Sequence, residues 1–261
     1  DNVQIMGWRG GQRSGVVQQW MADIGVQRPR IEGGFKALRR QSLETLAQPD
    51  KTFWLLSGRT GSAKTVIIRQ LQNSIDLEGR ANHRGSAFGQ RLTPQPSPVT
   101  FECALTADYL RHSQQNLVVE DESRTIGSIG LPERWHQCMQ QADIALLEVD
   151  IDQRVGHIEQ EYVHQALEEA AQHGLTKEHV HQRYQSALLR IGKRLGRIRL
   201  QTLQKRLNQA FTARASHTAW IDYLLREYYD PMYDYQLGKK HQRIRFRGNA
   251  GDVSDFLDKL P

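Results

Sequence analysis

The chain has only two cysteines, Cys103 and Cys138, among its 261 residues. They cannot build a disulfide framework, and neither sits in a CxxC or Cys/His ligand spacing, which argues against a structural zinc. So low a count suits a reducing cytoplasm. No apolar stretch is long enough to span a bilayer, and the opening Asp1-Asn2-Val3 lacks an initiator Met and the basic and apolar regions of a signal peptide. That opening reads as part of something longer. Hydrophobic residues make up 38%, charged residues 25%, and Gly and Pro number 21 and 8, which excludes membrane, collagen-like and wholly disordered classes. No internal repeat or low-complexity tract is present. What remains is a globular chain large enough for one large domain or two modest ones. Lys and Arg exceed Asp and Glu by 35 to 29, a balance that favours a polyanionic partner without requiring one.

Three zones separate by pattern. Residues 1–48 carry Gly7-Trp8-Arg9-Gly10-Gly11-Gln12-Arg13-Ser14. A helical run comes next with Val16, Val17, Trp20, Met21 and Ile24 on one face, then Gly33-Gly34 and a second helix from Phe35 to Leu46. Residues 49–150 alternate short apolar runs (Phe53–Leu56, Leu117–Val119, Ile144–Leu147) with helical patterns, as a parallel sheet with crossover helices does. Residues 151–261, rich in Glu, Gln, Leu and Arg, read as mainly helical.

The strongest local signal is Gly58-Arg59-Thr60-Gly61-Ser62-Ala63-Lys64-Thr65, which follows a predicted strand and opens a predicted helix. In a phosphate-binding P-loop, Gly58, Gly61 and the Thr60 and Ser62 amides wrap the anion, Lys64 neutralises its charge, and Thr65 can ligate Mg²⁺. Ala63 stands where Gly is usual; an Ala serves there if its φ is negative. The plainer alternative is a Gly-rich turn with a solvated lysine. Glu120-Asp121-Glu122 ends another apolar run, so Asp121 or Glu122 is placed to hold Mg²⁺ through water, or merely to end a strand. No residue is certain to ligate a metal. His83 and Arg84, in a Gly-containing stretch, either reach phosphate or RNA backbone or lie in a solvated loop.

Basic residues cluster late in the chain. Arg190, Lys193, Arg194 and Arg197 repeat on one helical face while Leu188, Ile191, Leu195 and Ile198 line another, and Arg243 and Arg245 belong to a second cluster. Such stripes neutralise phosphates or are simply solvated. The tyrosines from Tyr228 to Tyr235 either stack on bases or pack.

Taken in order, Arg9–Ser14, Glu32–Arg39, Gly58–Thr65, Asp76–Gly79, His83–Gly89, Glu120–Gly127 and Glu227–Tyr233 resemble the bacterial tRNA 2-selenouridine synthase family over essentially the whole chain. The resemblance implies an α/β chain in three parts. A partial rhodanese domain occupies 1–48, a P-loop domain with a mostly parallel sheet 49–150, and a mainly helical, tRNA-binding region 151–261. It implies a cytoplasmic transferase acting on tRNA with a wobble 2-thiouridine, S-geranylating the sulfur with geranyl diphosphate and then replacing the geranylthio group using selenophosphate. Both donors carry phosphate, so the P-loop has work other than ATP binding, and Mg²⁺ is a candidate companion.

The family's rhodanese loop carries a catalytic cysteine where this chain has Gly7. The resemblance carries Arg9, Gln12, Arg13 and Ser14 over as its cradle without the nucleophile, and most of that domain would precede Asp1. Two other readings stay open: a P-loop nucleotide hydrolase or kinase, and a tRNA-binding fragment without chemistry.

Overall fold

The structure is a computed structural model that describes residues 3–212 and 215–260; Asp1 and Asn2 of the opening lie outside them. Two helices come first, α1 (Gln12–Asp23) and α2 (Gly34–Ala47). In α1 the apolar residues Val16, Val17 and Trp20 face solvent, as does Ile24 just past its end. By contrast, α2 packs on the neighbouring sheet domain: Leu46 is buried in its core, and Ser42 shares a 2.7 Å hydroxyl hydrogen bond with Thr106.

Next come β1 (Thr52–Gly58), α3 (Lys64–Gln70), β2 (Ser74–Ile75), α4 (Leu77–Ala81), α5 (Pro98–Arg111) and β3 (Asn116–Glu120). A small hairpin, β4 (Thr125–Ile126) with β5 (Ile129–Gly130), precedes α6 (Glu133–Gln141) and β6 (Asp143–Leu147). The prolines that interrupt 93–98 do not stop α5; Pro98 takes its first turn, where no N–H is needed, and Ser97 caps it by accepting from the Thr100 amide at 3.1 Å. The runs at β1, β3 and β6 are apolar on both faces because both faces are covered.

The remaining zone contains α7 (Ile151–Ile158), α8 (Gln165–Gln172), α9 (Lys177–Leu195), α10 (Arg197–Thr212), α11 (Thr218–Leu224), α12 (Asp230–Lys240), β7 (Ile244–Gly248) and α13 (Ala250–Asp258). The α7 and α11 helices each run on through a wider π-helical turn, Glu159–His164 and Leu225–Tyr229. The zone is mainly helical, as expected, with one exception. β7 joins the sheet, which is parallel throughout in the order β2-β3-β1-β6-β7. A second correction concerns the basic stripe: the helix breaks at Gly196 (φ +85°), so Arg197 opens α10, and Ile198 is exposed rather than part of a buried face.

Three cores result. One lies on each face of the sheet, and a third, built around Tyr184, Phe211 and Trp220, fills the helical region. Phe88 belongs to that third core, so the loop after α4 anchors the helical region over the end of the sheet. Because β1 is central, with β3 and β6 on either side, the loop after it opens into the crevice at the carboxyl ends of the strands, where α/β sheets bind ligands.

Candidate active site

The loop after β1 turns sharply because β1 is wedged between its neighbours. A Cβ on Gly58 would come 2.7 Å from Ser62 Oγ and 3.0 Å from Leu147 O. Gly61 has φ +84°, and a Cβ there would lie 2.8 Å from Arg154 O, so the helical region presses directly on the loop. Ala63 has φ +60°, in the left-handed region, contrary to the negative φ expected of an alanine here. The loop geometry needs that conformation whatever the side chain, at a cost of about 1–2 kcal/mol for a residue with a Cβ.

The helical region holds the loop through charge as well. Arg154 is buried, makes a two-pronged ion pair with Asp230 at 2.7 Å and donates to Thr60 O at 3.3 Å. His157 Nδ1 lies 3.0 Å from Gly61 O, and Arg59 pairs with Asp234 at 2.7 Å. Loop and helices therefore form one unit around a cavity of about 190 Å³.

Gly58, Thr60, Gly61, Ser62, Lys64, Thr65, Asp121 and Glu122 all line this cavity. Lys64 Nζ donates to Gly58 O at 2.6 Å, curled against its own loop and within reach of an incoming anion. Asp121 is already occupied: its Oδ1 takes Lys240 Nζ at 2.6 Å and its Oδ2 accepts from Ser57 Oγ at 2.7 Å. That leaves Glu122 as the acid of the two without a basic partner among the described residues. Glu120 is buried behind the site, accepting from the Leu77 amide at 3.0 Å.

Glu78, from α4, is the acid that the motif reading passed over. Its Oε2 accepts from Thr65 Oγ1 at 3.1 Å, and it shares a hydrogen bond with Glu122. Burial raises Glu78 above the usual carboxylate range, with Lys64 pulling the other way; burial and then Glu78 push Glu122 up to about 8. At neutral pH one proton therefore sits between two carboxyl groups beside the P-loop lysine. The opposite wall comes from the π-helical turns, which bring Glu161, Tyr162 and Tyr229 to the cavity, and from Met232, Tyr233 and Leu237. The Tyr228–Tyr235 segment is thus divided: Tyr229 and Tyr233 face the site, while Tyr235 is exposed.

Other candidates fall elsewhere. Gly7, Arg9, Gln12, Arg13 and Ser14 form their own loop at the start of α1 and line no part of the cavity. There, Gly7 O accepts from the Phe35 amide at 2.9 Å, and Ser14 Oγ donates to Gly11 O at 2.9 Å. Arg84 reaches the cavity wall but is buried against Tyr162 and paired with Glu161 at 2.7 Å. His83 and Arg190 line a neighbouring cleft. Lys193, Arg194 and Arg197 are exposed. Arg243 caps the carbonyls of Met139 and Ala142 at 3.1 and 2.8 Å, and Arg245 pairs with Asp143 at 2.9 Å, toward the amino end of the sheet, away from the P-loop. Among the described residues no helix is long and apolar enough to cross a membrane, and no three His, Cys, Asp or Glu side chains form a metal cluster.

A parallel sheet whose central strand feeds a glycine loop, a lysine and a hydroxyl into a cavity defines a P-loop domain. The sequence model described as the tRNA 2-selenouridine synthase AAA domain matches residues 51–260. Proteins named tRNA 2-selenouridine synthase from Hydrogenovibrio crunogenus and Shewanella frigidimarina are each 42% identical to this chain over 97% of its length and 73% of theirs. One from Cupriavidus necator is 42% identical over 96% of this chain and 72% of its own. The chain belongs to the tRNA 2-selenouridine synthase family. No solved structure matches it.

Proposed function

We propose that this chain modifies tRNA at a wobble 2-thiouridine, with the P-loop cavity holding the phosphate end of the group donor. The single observation that carries this reading is the junction of two surfaces in one cavity: Lys64, Thr65 and the loop amides on one side, and Tyr162, Tyr229, Met232 and Leu237 on the other. An apolar tail bearing a diphosphate needs both. The sulfur of the thiouridine attacks the first carbon of the geranyl group, the carbon–oxygen bond breaks, and diphosphate leaves with its electrons onto Lys64 and the loop N–H groups. The base nitrogen loses its proton, and the carboxylate of the Glu78–Glu122 pair lies in the same cavity to accept it. The selenium of selenophosphate then attacks C2 of the base, the carbon–sulfur bond breaks and geranylthiolate leaves to take up a proton, and water cleaves the selenium–phosphorus bond, releasing phosphate and leaving 2-selenouridine.

Thr65, Glu78 and Glu122 fit a magnesium ion: two crowded carboxyls and a hydroxyl, a set that would be completed by waters and donor phosphate oxygens. When bound, the ion would neutralise charge on the leaving diphosphate. Residues 1–48 fit the remnant of a rhodanese domain in this reading, and Gly7 leaves that loop without a thiol, which weakens the selenium step in this chain. The work is cytoplasmic, where tRNA is.

Titration calorimetry with inorganic diphosphate, alongside tRNA binding by anisotropy, tests the division of labour. Lys64→Ala is expected to abolish diphosphate binding and to leave tRNA affinity within about twofold. Loss of both together, or of neither, contradicts it.

A further inference from the structure

Beyond the Gly85-Ser86 turn lies a second cavity, wider than the first, of about 900 Å³. Gly85 and Ser86 line both, so a single turn of backbone separates them. The two differ in charge. The P-loop cavity mixes four carboxyl residues (Glu78, Asp121, Glu122, Glu161) with Lys64 and Arg84, whereas the lining of the second has Arg91, Arg190 and His83 and no acid. Arg190 reaches across from α9 and donates to Ala87 O at 3.0 Å; Arg91 forms a long ion pair with Glu169 at 3.9 Å. His83 is 9% exposed, and its Nδ1 has no hydrogen-bond partner. Burial, and then the neighbouring Arg190, Arg91 and Arg84, hold its imidazole below the usual range and so neutral.

The cleft is rigid. Gln95 Nε2 donates to Ala81 O at 2.8 Å and Ile126 O at 2.9 Å, and its Oε1 accepts from the Ser128 amide at 2.7 Å. Gly127 (φ +62°) lies so close that a Cβ would come 2.7 Å from His83 Cδ2. Outside the cleft, the charge continues along α9 and into α10 as Lys193, Arg194 and Arg197. None of these, nor Arg190, forms an ion pair among the described residues, whereas the next basic residue, Arg199, pairs with Glu227 at 2.7 Å.

A compact phosphate site would gather its donors around one point. Here two guanidiniums from separate elements line an open cleft, a neutral imidazole lies at its wall, and a basic stripe leads away. That is the pattern of a strand-tracking surface, in which phosphate contacts fix register and bases are held beside them. We propose that this cleft and the stripe along α9 carry the RNA strand flanking the modified nucleotide. Arg91 and Arg190 hold its phosphodiesters, His83 faces the adjoining nucleotide, and the target base passes Ser86 into the P-loop cavity. The proposal rests on the reading of tRNA as substrate.

The test uses this chain and fluorescein-labelled tRNA, with affinity measured across a salt series. Arg91→Gln and Arg190→Gln are each expected to weaken binding about three- to tenfold and to lower the slope of log affinity against log salt by about 0.7 for each phosphate that is no longer neutralised. Arg190→Lys restores the slope, Arg245→Gln leaves it at the wild-type value, and diphosphate binding is unchanged in Arg91→Gln. Arg91→Gln removes no backbone hydrogen bond, so it remains informative if Arg190→Gln fails to fold. An unchanged slope in Arg91→Gln, or an equal loss in Arg245→Gln, overturns the proposal. So does loss of inorganic phosphate binding with RNA affinity intact, which would make the cleft a site for a free anion. If the wild-type chain binds no tRNA, the proposed function itself fails; if it binds and the cleft variants match it, only this inference does.

Discussion

Glu122→Gln is the sharpest probe of the buried carboxyl pair. Glu122 is held up to about 8 by burial and by Glu78, against an ordinary value of 4.5. A carboxyl raised in the fold binds its proton more tightly there than in the unfolded chain. Its contribution to stability is therefore complete below about pH 4.5 and drains away as pH rises through about 8. One proton gives a slope of about 1.4 kcal/mol per pH unit, which flattens near the folded pKa and leaves about 2 kcal/mol lost between pH 6 and pH 8. For a chain of this size that is a fall in Tm of roughly 4–8 °C. Glutamine keeps the shape and a donor for Glu78 without the titrating proton. Circular dichroism melts at pH 6 and pH 8, without divalent cations, should show the wild-type Tm falling further than that of Glu122→Gln by this amount. Glu120 is present in both proteins, and Glu78 titrates with Glu122, so the difference reports the pair. Equal falls in the two proteins would refute a shared, buried proton.

Three other substitutions probe the same geometry. Ala63→Gly relieves a left-handed alanine and should raise stability by about 1 kcal/mol in urea unfolding; a loss would contradict φ +60° at this position. Arg154→Leu strands Asp230 in a buried site and should cost about 3–5 kcal/mol and disorder the P-loop, seen as lost diphosphate affinity; unimpaired binding would mean that the loop stands without its clamp. Gly7→Cys puts a thiol beside the Ser14 hydroxyl at the start of α1, where a Cβ would lie 3.1 Å from Ser14 Oγ and 3.8 Å from the Gly10 amide, and should raise the yield of selenated uridine. An unchanged yield would remove Gly7 from the account of the selenium step.

The P-loop was legible because its residues are contiguous and follow an apolar strand, so the local pattern alone picks out the loop. Buried parallel strands were legible for the same reason at Phe53–Leu56, Leu117–Val119 and Ile144–Leu147. What the sequence hides is assembly across distance. β7 returns from the helical zone to the sheet edge, and its charged residues read as a nucleic-acid cluster when Arg243 and Arg245 in fact tie down neighbouring backbone and Asp143. Glu78 sits inside the Asp76–Gly79 motif but carried no role there, because its meaning comes from Thr65 and Glu122, which only the fold brings to it. The π-helical turns that aim Tyr162 and Tyr229 inward break the 3.6-residue period on which helical faces are read. Asp121 looked free in sequence; only Lys240, far along the chain, shows that it is neutralised.

Nucleoside mass spectrometry of 2-thiouridine-containing tRNA, incubated with this chain and geranyl diphosphate and then selenophosphate, tests the central claim most directly. Geranylated or selenated uridine with the wild-type chain, and none with Lys64→Ala, is the expected result. Unmodified 2-thiouridine in tRNA that is nonetheless bound, or equal product from Lys64→Ala, would contradict it.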